Sequence, residues 1–317
     1  MTAYRSPLLA RPGAVEASGP DAGVAAHYGD PMREQRLLDA GRALVDLSHH
    51  GVVRISGPDR LTWLHSLLSQ DVASLAPGTP VQGLVLSPHG HVEHHLRLQD
   101  DGETTTALVE PGTAPALVDF LRSMQFMMRV EVLDATEGWA VVGSAEGEQV
   151  VPRADLTAAM TTAESVAGVW AHEALRIAAG VPRLGLDTDH RTIPNEAGWI
   201  ESAVHLDKGC YRDQETVARV HTLGRPPRRL THLHLDGSVD HLPEHGDPVV
   251  LRETAKQVGT IGSAARHYVD GPLALALVKR SVPVDAPLLV QSESVGVAAT
   301  QEVVVEPEAG LHVRPQL

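Results

Sequence analysis

Apolar residues recur at helical spacing over residues 31–47, where Leu37, Leu38, Leu44, Val45 and Leu47 fall on one broad face. The spacing predicts one helix across that run. Residues 52–55 read as a short strand. Ser56-Gly57-Pro58-Asp59 then opens a second helix, with Pro58 near its first turn and Leu61, Trp63, Leu64, Leu67 and Leu68 on its buried side. Two strand-like runs, 82–86 and 92–98, flank Ser87-Pro88-His89-Gly90 as a hairpin, and 104–109 adds a strand after the Asp101-Gly102 turn. Residues 113–124 form an amphipathic helical pattern and 129–133 a returning strand. Strands alternating with two helices predict an α+β subdomain, sheet on one side and helices on the other. A less regular half follows, with a strand at 139–143 and helices at 153–160 and 172–179.

The pattern changes after Gly224-Arg225-Pro226-Pro227, where consecutive prolines cannot continue a helix. Short β-rich runs at 231–235, 248–251, 257–263, 273–278 and 295–305, separated by turns, predict a small barrel or sandwich. At the other end, Pro7, Pro12 and Gly13 interrupt any helix in an Ala-, Gly- and Pro-rich segment. The expected organisation is a flexible leader at 1–30, two α+β subdomains within 31–225, and a β-barrel at 226–317.

Composition narrows the function more than the fold. The 317 residues are 43% hydrophobic and 21% charged, the balance of an ordinary globular chain with two or three subdomains. A net charge of −14 argues against a broad nucleic-acid surface, since phosphate contacts need clustered cations. No segment approaches the ~20 apolar residues of a membrane span, and the N-terminus lacks the continuous apolar core of a signal peptide. The chain reads as cytoplasmic, and its few lysines fit a GC-rich bacterial genome. A single cysteine excludes both an internal disulfide framework and a C-x-x-C metal site. Any iron–sulfur cluster would need a second subunit, a partner or other ligands.

That cysteine, Cys210, lies in the chemically densest stretch, 197–230. Gly209 before it permits an unusual backbone angle, and Asp213 can cap a helix running through Gln214 to Val220. Lys208 two residues away and the helix N-terminus both favour a thiolate. Lys208, Tyr211 and Gln214 are all able to point at a ligand. A small buried hydrophobe is the other reading of Cys210, and the residues leave both open.

Lys208-Gly209-Cys210-Tyr211 followed by Gln214-Glu215 resembles the K-G-C-Y-x-G-Q-E signature of the YgfZ family. These folate-binding proteins are related to the T-protein (aminomethyltransferase) of the glycine cleavage system and are implicated in iron–sulfur cluster assembly and repair. Asp213 stands where the signature has glycine, and aspartate tolerates both a left-handed backbone and a capping role. Residues 46–72, D-L-S-H-H-G-V-V-R-I-S-G-P-D-R-L-T-W-L-H-S-L-L-S-Q-D-V, separately resemble the opening of the T-protein fold. The resemblance implies two α+β units and a C-terminal barrel in a ring around a central hole where folate sits.

It also implies site residues. Residues 173–199 resemble the T-protein segment that ends P-x-E-A-G, which puts Glu196 on the pterin-binding glutamate. A carboxylate accepts a pterin N–H and amino group side by side. Arg219, Arg225, Arg228 and Arg229 suit a clamp for carboxylate or phosphate. The resemblance places one arginine of R-P-P-R-R-L near the folate glutamate tail, Arg229 first and Arg228 after it. Surface solvation and an RNA-phosphate contact are the alternatives. Lys208 and Tyr211 complete the implied folate set.

His89, His91, His94 and His95 raise a metal hypothesis, but alternation spreads His91, Glu93 and His95 too far along one strand for one small ion. They read as a polar sheet face, and no metal is expected. His94 and His95 replace both carboxylates of the T-protein run G-G-x-x-D-D-L. Histidine can move protons, yet the carboxylate that would stabilise a developing iminium is absent. The expected function is a tetrahydrofolate-binding accessory protein (tetrahydrofolate itself or a one-carbon derivative), serving iron–sulfur proteins or assembly factors, with Cys210 as its working thiol. The alternatives are a folate-dependent one-carbon transferase using His94 and a tRNA-binding module using the arginines.

Overall fold

The computed structural model describes residues 4–209, 211, 214–223, 225–292 and 295–310. The chain opens with strands β1 (Val15–Glu16) and β2 (Ala25–His27), paired antiparallel, then helix α1 (Pro31–Asp39). The Asp30 carboxylate caps α1 by accepting the Arg33 N–H at 3.0 Å. The helix stops eight residues before the sequence pattern does. Gly41 takes φ +68°, its N–H bonds to the Leu38 carbonyl, and the Arg42 N–H reaches the Leu37 carbonyl. That double closure ends a helix. The remaining apolar residues become strand β3 (Ala43–Asp46). There follow β4 (Gly51–Ser56), α2 (Arg60–Leu67), β5 (Val81–Leu86), β6 (Val92–Asp100), β7 (Thr104–Val109), α3 (Ala114–Ser123) and β8 (Glu131–Asp134). Next come β9 (Trp139–Ser144), β10 (Gly147–Pro152), α4 (Leu156–Ala159), β11 (Ser165–Ala167), α5 (Val169–Ala178), α6 (Trp199–Ala203) and α7 (Gln214–Leu223). Six strands end the chain: β12 (Arg228–Leu235), β13 (Pro248–Leu251), β14 (Gln257–His267), β15 (Gly271–Lys279), β16 (Leu288–Ser292) and β17 (Val295–Val303).

The chain divides into two compact units that alternate along the sequence. The first comprises Met1–Arg60, Ala76–Pro80 and Leu96–Leu175. It holds the sheet β10-β9-β3-β11, with β11 parallel to β3, and the run β6-β7-β4-β8 from the C-terminal half of β6 onward. Leu37, Leu38, Val45, Leu47, Val52, Val141 and Ala167 centre its core. The segment expected to be a loose leader is packed here instead. Leu8 is 2% exposed and Val24 fully buried, the Ser6 hydroxyl donates to Asp46, and Tyr4 bonds Ser48 at 2.7 Å. Its few apolar residues lack a period, but Leu8, Ala17, Val24, Ala25 and Ala26 are buried.

The second unit comprises Leu61–Leu75, Val81–His95 and Arg176–Leu317. Its closed barrel runs β12-β15-β14-β13-β16-β17, antiparallel throughout, and Leu233, Val249, Ile261, Ala276, Val290 and Val297 fill it. Closure removes the exposed edges an open sheet would present. A second cluster joins Leu84, Leu86 and Val92 of the β5–β6 hairpin to Trp199, Tyr211 and Val217. The fold class is therefore α+β with a C-terminal barrel, as the pattern predicted.

Candidate functional site

The stretch around Cys210 belongs to the second unit and is braced from both sides. The Lys208 ammonium donates to the carbonyls of His65, Leu68 (2.6 Å) and Gln70 (2.9 Å), at and just beyond the end of α2. A helix leaves its last carbonyls without partners and its dipole negative there, so a cation is the natural cap. Burial pushes Lys208 down to about 8, with Asp71 pulling the other way. The Gln214 side-chain amide in turn donates to the Lys208 carbonyl at 3.1 Å. Tyr211 is 7% exposed in the cluster with Trp199, its ring 5.2 Å from the Lys208 nitrogen. Lys208 and Tyr211, expected to face folate, are thus occupied in holding the loop. Gly209 has no left-handed angle, and a Cβ there would meet open space, so the expected backbone freedom is not used. Glu215 is exposed and pairs with Arg219 at 2.7 Å. Cys210, Arg212 and Asp213 lie outside the described residues.

Glu196 closes the short turn Pro194–Glu196 and is 1% exposed. Its Oε1 accepts the Arg228 backbone N–H at 3.1 Å and Nε at 2.9 Å. Its Oε2 accepts Arg228 Nη2 at 2.9 Å and the Ile193 N–H at 3.2 Å. A carboxylate offers about four acceptor positions, so the partners shown fill it. Arg228 also grips Asp189 at 2.6 and 3.0 Å. Burial acts to lower the Arg228 guanidinium, but the hydrogen bonds and charges of its two carboxylates together hold it above its ordinary range, and the Arg228 hydrogen bond outweighs burial to hold Asp189 well below its own. The groups a pterin and a glutamate tail would need are side by side, closed on each other.

Arg229 is a correction. Alternation along β12 turns it the opposite way from Arg228, and it is fully buried, bonding to Thr231 and to Gln301 at 2.8 Å. No described carboxylate touches it, and burial pushes its pKa down. It is a buried cation of the barrel wall, on the opposite face of β12 from the Arg228 that pairs with Glu196. Arg219 pairs with Glu215 and Arg225 lies 4.0 Å from Glu308, both at the exposed surface, while Arg228 is held by two carboxylates, so each of these three clamp cations has an acidic neighbour. Of the two histidines replacing carboxylates, His95 is 5% exposed, bonded to Gln82 at 2.8 Å and stacked 4.9 Å from Trp199. His94 is half-buried, and desolvation lowers its pKa, leaving a neutral base rather than an acid.

Sequence reasoning missed two sets. Asp189 and Thr192 complete the Arg228 network, and their only signal was the polar run D-T-D-H-R-T. Arg176, Asp187 and Ser263 form a buried triangle: Arg176 to Asp187 at 2.7 Å, Arg176 to Ser263 at 2.8 Å, Ser263 to Asp187 at 2.6 Å.

Superposed on solved structures, the chain matches the glycine cleavage system aminomethyltransferase T of Bartonella henselae, with a TM-score of 0.78 over 96% of this chain and 97% of that one at 16% identity. The fold is the aminomethyltransferase fold. No family model matches the sequence. Among curated relatives, the mitochondrial iron–sulfur cluster assembly factor IBA57 homologue of Mycosarcoma maydis is 26% identical over 284 residues, 73% of this chain and 69% of that one. An aminomethyltransferase of Geobacillus kaustophilus is 25% identical over 305 residues, 78% of this chain and 82% of that one. The chain spans 66% of the length of another relative it matches, a putative chloroplastic transferase of Arabidopsis thaliana. Its relatives are thus aminomethyltransferase-like proteins, with an iron–sulfur assembly factor among them. No helix among the described residues is long and apolar enough to cross a membrane.

Proposed function

We propose that the chain is a tetrahydrofolate-binding accessory protein of iron–sulfur cluster assembly and repair, YgfZ-like, cytoplasmic, and without aminomethyltransferase activity. The observation that carries this reading is the replacement of the T-protein carboxylate pair by His94 and His95 in a chain that otherwise keeps the fold. His95 is committed to Gln82 and Trp199, and His94 is a neutral base. Neither supplies the negative charge that an iminium-like transition state needs. Similarity to an iron–sulfur assembly factor supports the client, and the braced motif around Cys210 supports a working thiol.

Glu196 offers the carboxylate chemistry a pterin requires, and Arg228 a cation beside it for the tail. Because they hold each other, folate binding at Glu196 displaces Arg228, which remains tethered to Asp189. Calorimetric titration of the full chain with tetrahydrofolate should show binding, with no turnover of an aminomethyl donor in the same preparation. Glu196→Gln should weaken binding by about 1–3 kcal/mol, since a donor then meets a donor. Unchanged affinity would move the pterin elsewhere. Cys210→Ser should bind folate normally yet fail to restore iron–sulfur enzyme activity in a strain lacking the protein. The one-carbon transferase reading keeps one observation in its favour, the similarity to the Geobacillus kaustophilus enzyme, and donor turnover that disappears in His94→Ala would establish it.

A further inference from the structure

The geometry points to a divalent-metal site on the barrel wall: we propose that His232, His234 and Glu302 bind a zinc-class cation. His232 and His234 are two apart on β12, so both imidazoles stand on one face. The β12–β17 pairing that closes the barrel sets Glu302 directly opposite His232. Glu302 Oε2 lies 2.7 Å from His234 Nε2 and 3.5 Å from His232 Nδ1, and the two rings are 4.9 Å apart. One ligand atom from each residue falls within 4.8 Å of the others. Ligands about 2.1 Å from one ion, at 90° to tetrahedral angles, sit roughly 3.0–3.4 Å from each other. The donors therefore stand close to coordinating distance before any ion arrives, and a closed barrel holds the two strands in register.

The surroundings favour an ion over a plain ion pair. His232 is 6% exposed, and its Nδ1 faces the Glu302 carboxylate at 3.5 Å, longer than a strong hydrogen bond. One Glu302 oxygen faces both imidazoles at once, 2.7 Å from His234 and 3.5 Å from His232. A shared cation satisfies all three. Glu302 and His234 reach solvent, giving the ion an entrance and leaving room for water as further ligands. Two imidazoles and a carboxylate suit Zn²⁺ and its neighbours Co²⁺ and Ni²⁺ better than the hard, all-oxygen ions. The histidines of the β5–β6 hairpin make no comparable set among the described residues.

The full chain, stripped by chelator, is titrated with Zn²⁺ by calorimetry alongside His234→Gln and Glu302→Gln, both surface changes whose folding circular dichroism checks. Because the chain holds 18 histidines, the difference between proteins is the readout rather than total uptake. The expected result is one tight equivalent in the wild type, weakened at least about tenfold in each variant, with a Zn²⁺-dependent rise in Tm confined to the wild type. Co²⁺ should give visible bands of a nitrogen–oxygen site in the wild type alone. No tight equivalent in the wild type, or an unchanged affinity in either variant, overturns the proposal.

Discussion

A lysine ammonium from far along the chain caps α2, its three protons meeting the carbonyls of His65, Leu68 and Gln70. Lys208→Met would leave those carbonyls without that donor and should cost about 1–3 kcal/mol by urea unfolding. The titration of Lys208 carries a second prediction. Burial brings the ammonium down to about 8, below the ordinary lysine value of 10.5. Between those pH values the unfolded chain holds more protons than the native one, so this residue's contribution to stability rises with pH through that window. The stability difference between wild type and Lys208→Met should widen by on the order of 2 kcal/mol from pH 7.5 to 10.5. A constant gap would mean the carbonyls compensate fully for burial. The same residue shows where sequence reading stops. Lys208 and Tyr211 have ligand-binding chemistry in any list of side chains, but their commitment to α2 and to the Trp199 cluster depends on long-range packing.

Among the elements, the barrel strands were legible because short apolar runs between turn residues leave few other solutions, although β16 went unseen and β14 and β15 ran longer than expected. The end of α1 was misread: Leu44, Val45 and Leu47 fit a helical face, yet Gly41 closes the helix before them and the same residues serve as strand. The motif Lys208 to Glu215 was visible as chemistry, and its mutual bracing was not. His232, His234 and Glu302 converge only because β12 and β17, 68 residues apart at the closest contact, are neighbours in the barrel. Gly262 shows an element constrained by another. It sits at a register shift in β14, and a Cβ there would fall 2.5 Å from Asp187 Oδ1 and 2.6 Å from its Cα. Bulge positions favour glycine for such close approach. Gly262→Ala should push Asp187 off Arg176 and Ser263 and cost about 1–3 kcal/mol, measured by urea midpoint. An unchanged midpoint would show that the triangle tolerates the shift.

At the scale of the whole molecule, the first thirty residues behave as part of the first unit rather than as an appendage. Leu8, Val24, Ala25 and Ala26 are all nearly inaccessible. The Ala26 carbonyl comes so close to Gly168 that a Cβ there would lie 2.2 Å from it. Glu34 takes the Tyr28 N–H at 2.7 Å on one oxygen and the Gly168 N–H at 2.9 Å on the other, tying the segment to the start of the α5 region. Removing residues 1–28 would expose the cores beneath and strand the Asp46 and Ser48 side chains that Ser6 and Tyr4 now satisfy. Burying a side chain such as Leu8 or Val24 contributes about 1.5–3 kcal/mol each. At roughly 2–4 °C per kcal/mol for a domain of this size, losing two such side chains should lower the melting temperature by about 6–24 °C. Calorimetry should place that drop in the transition of the first unit and leave folate and Zn²⁺ titrations of the barrel-bearing unit unaltered. A truncated chain that melts with the intact one would make residues 1–28 the loose leader that their composition suggests.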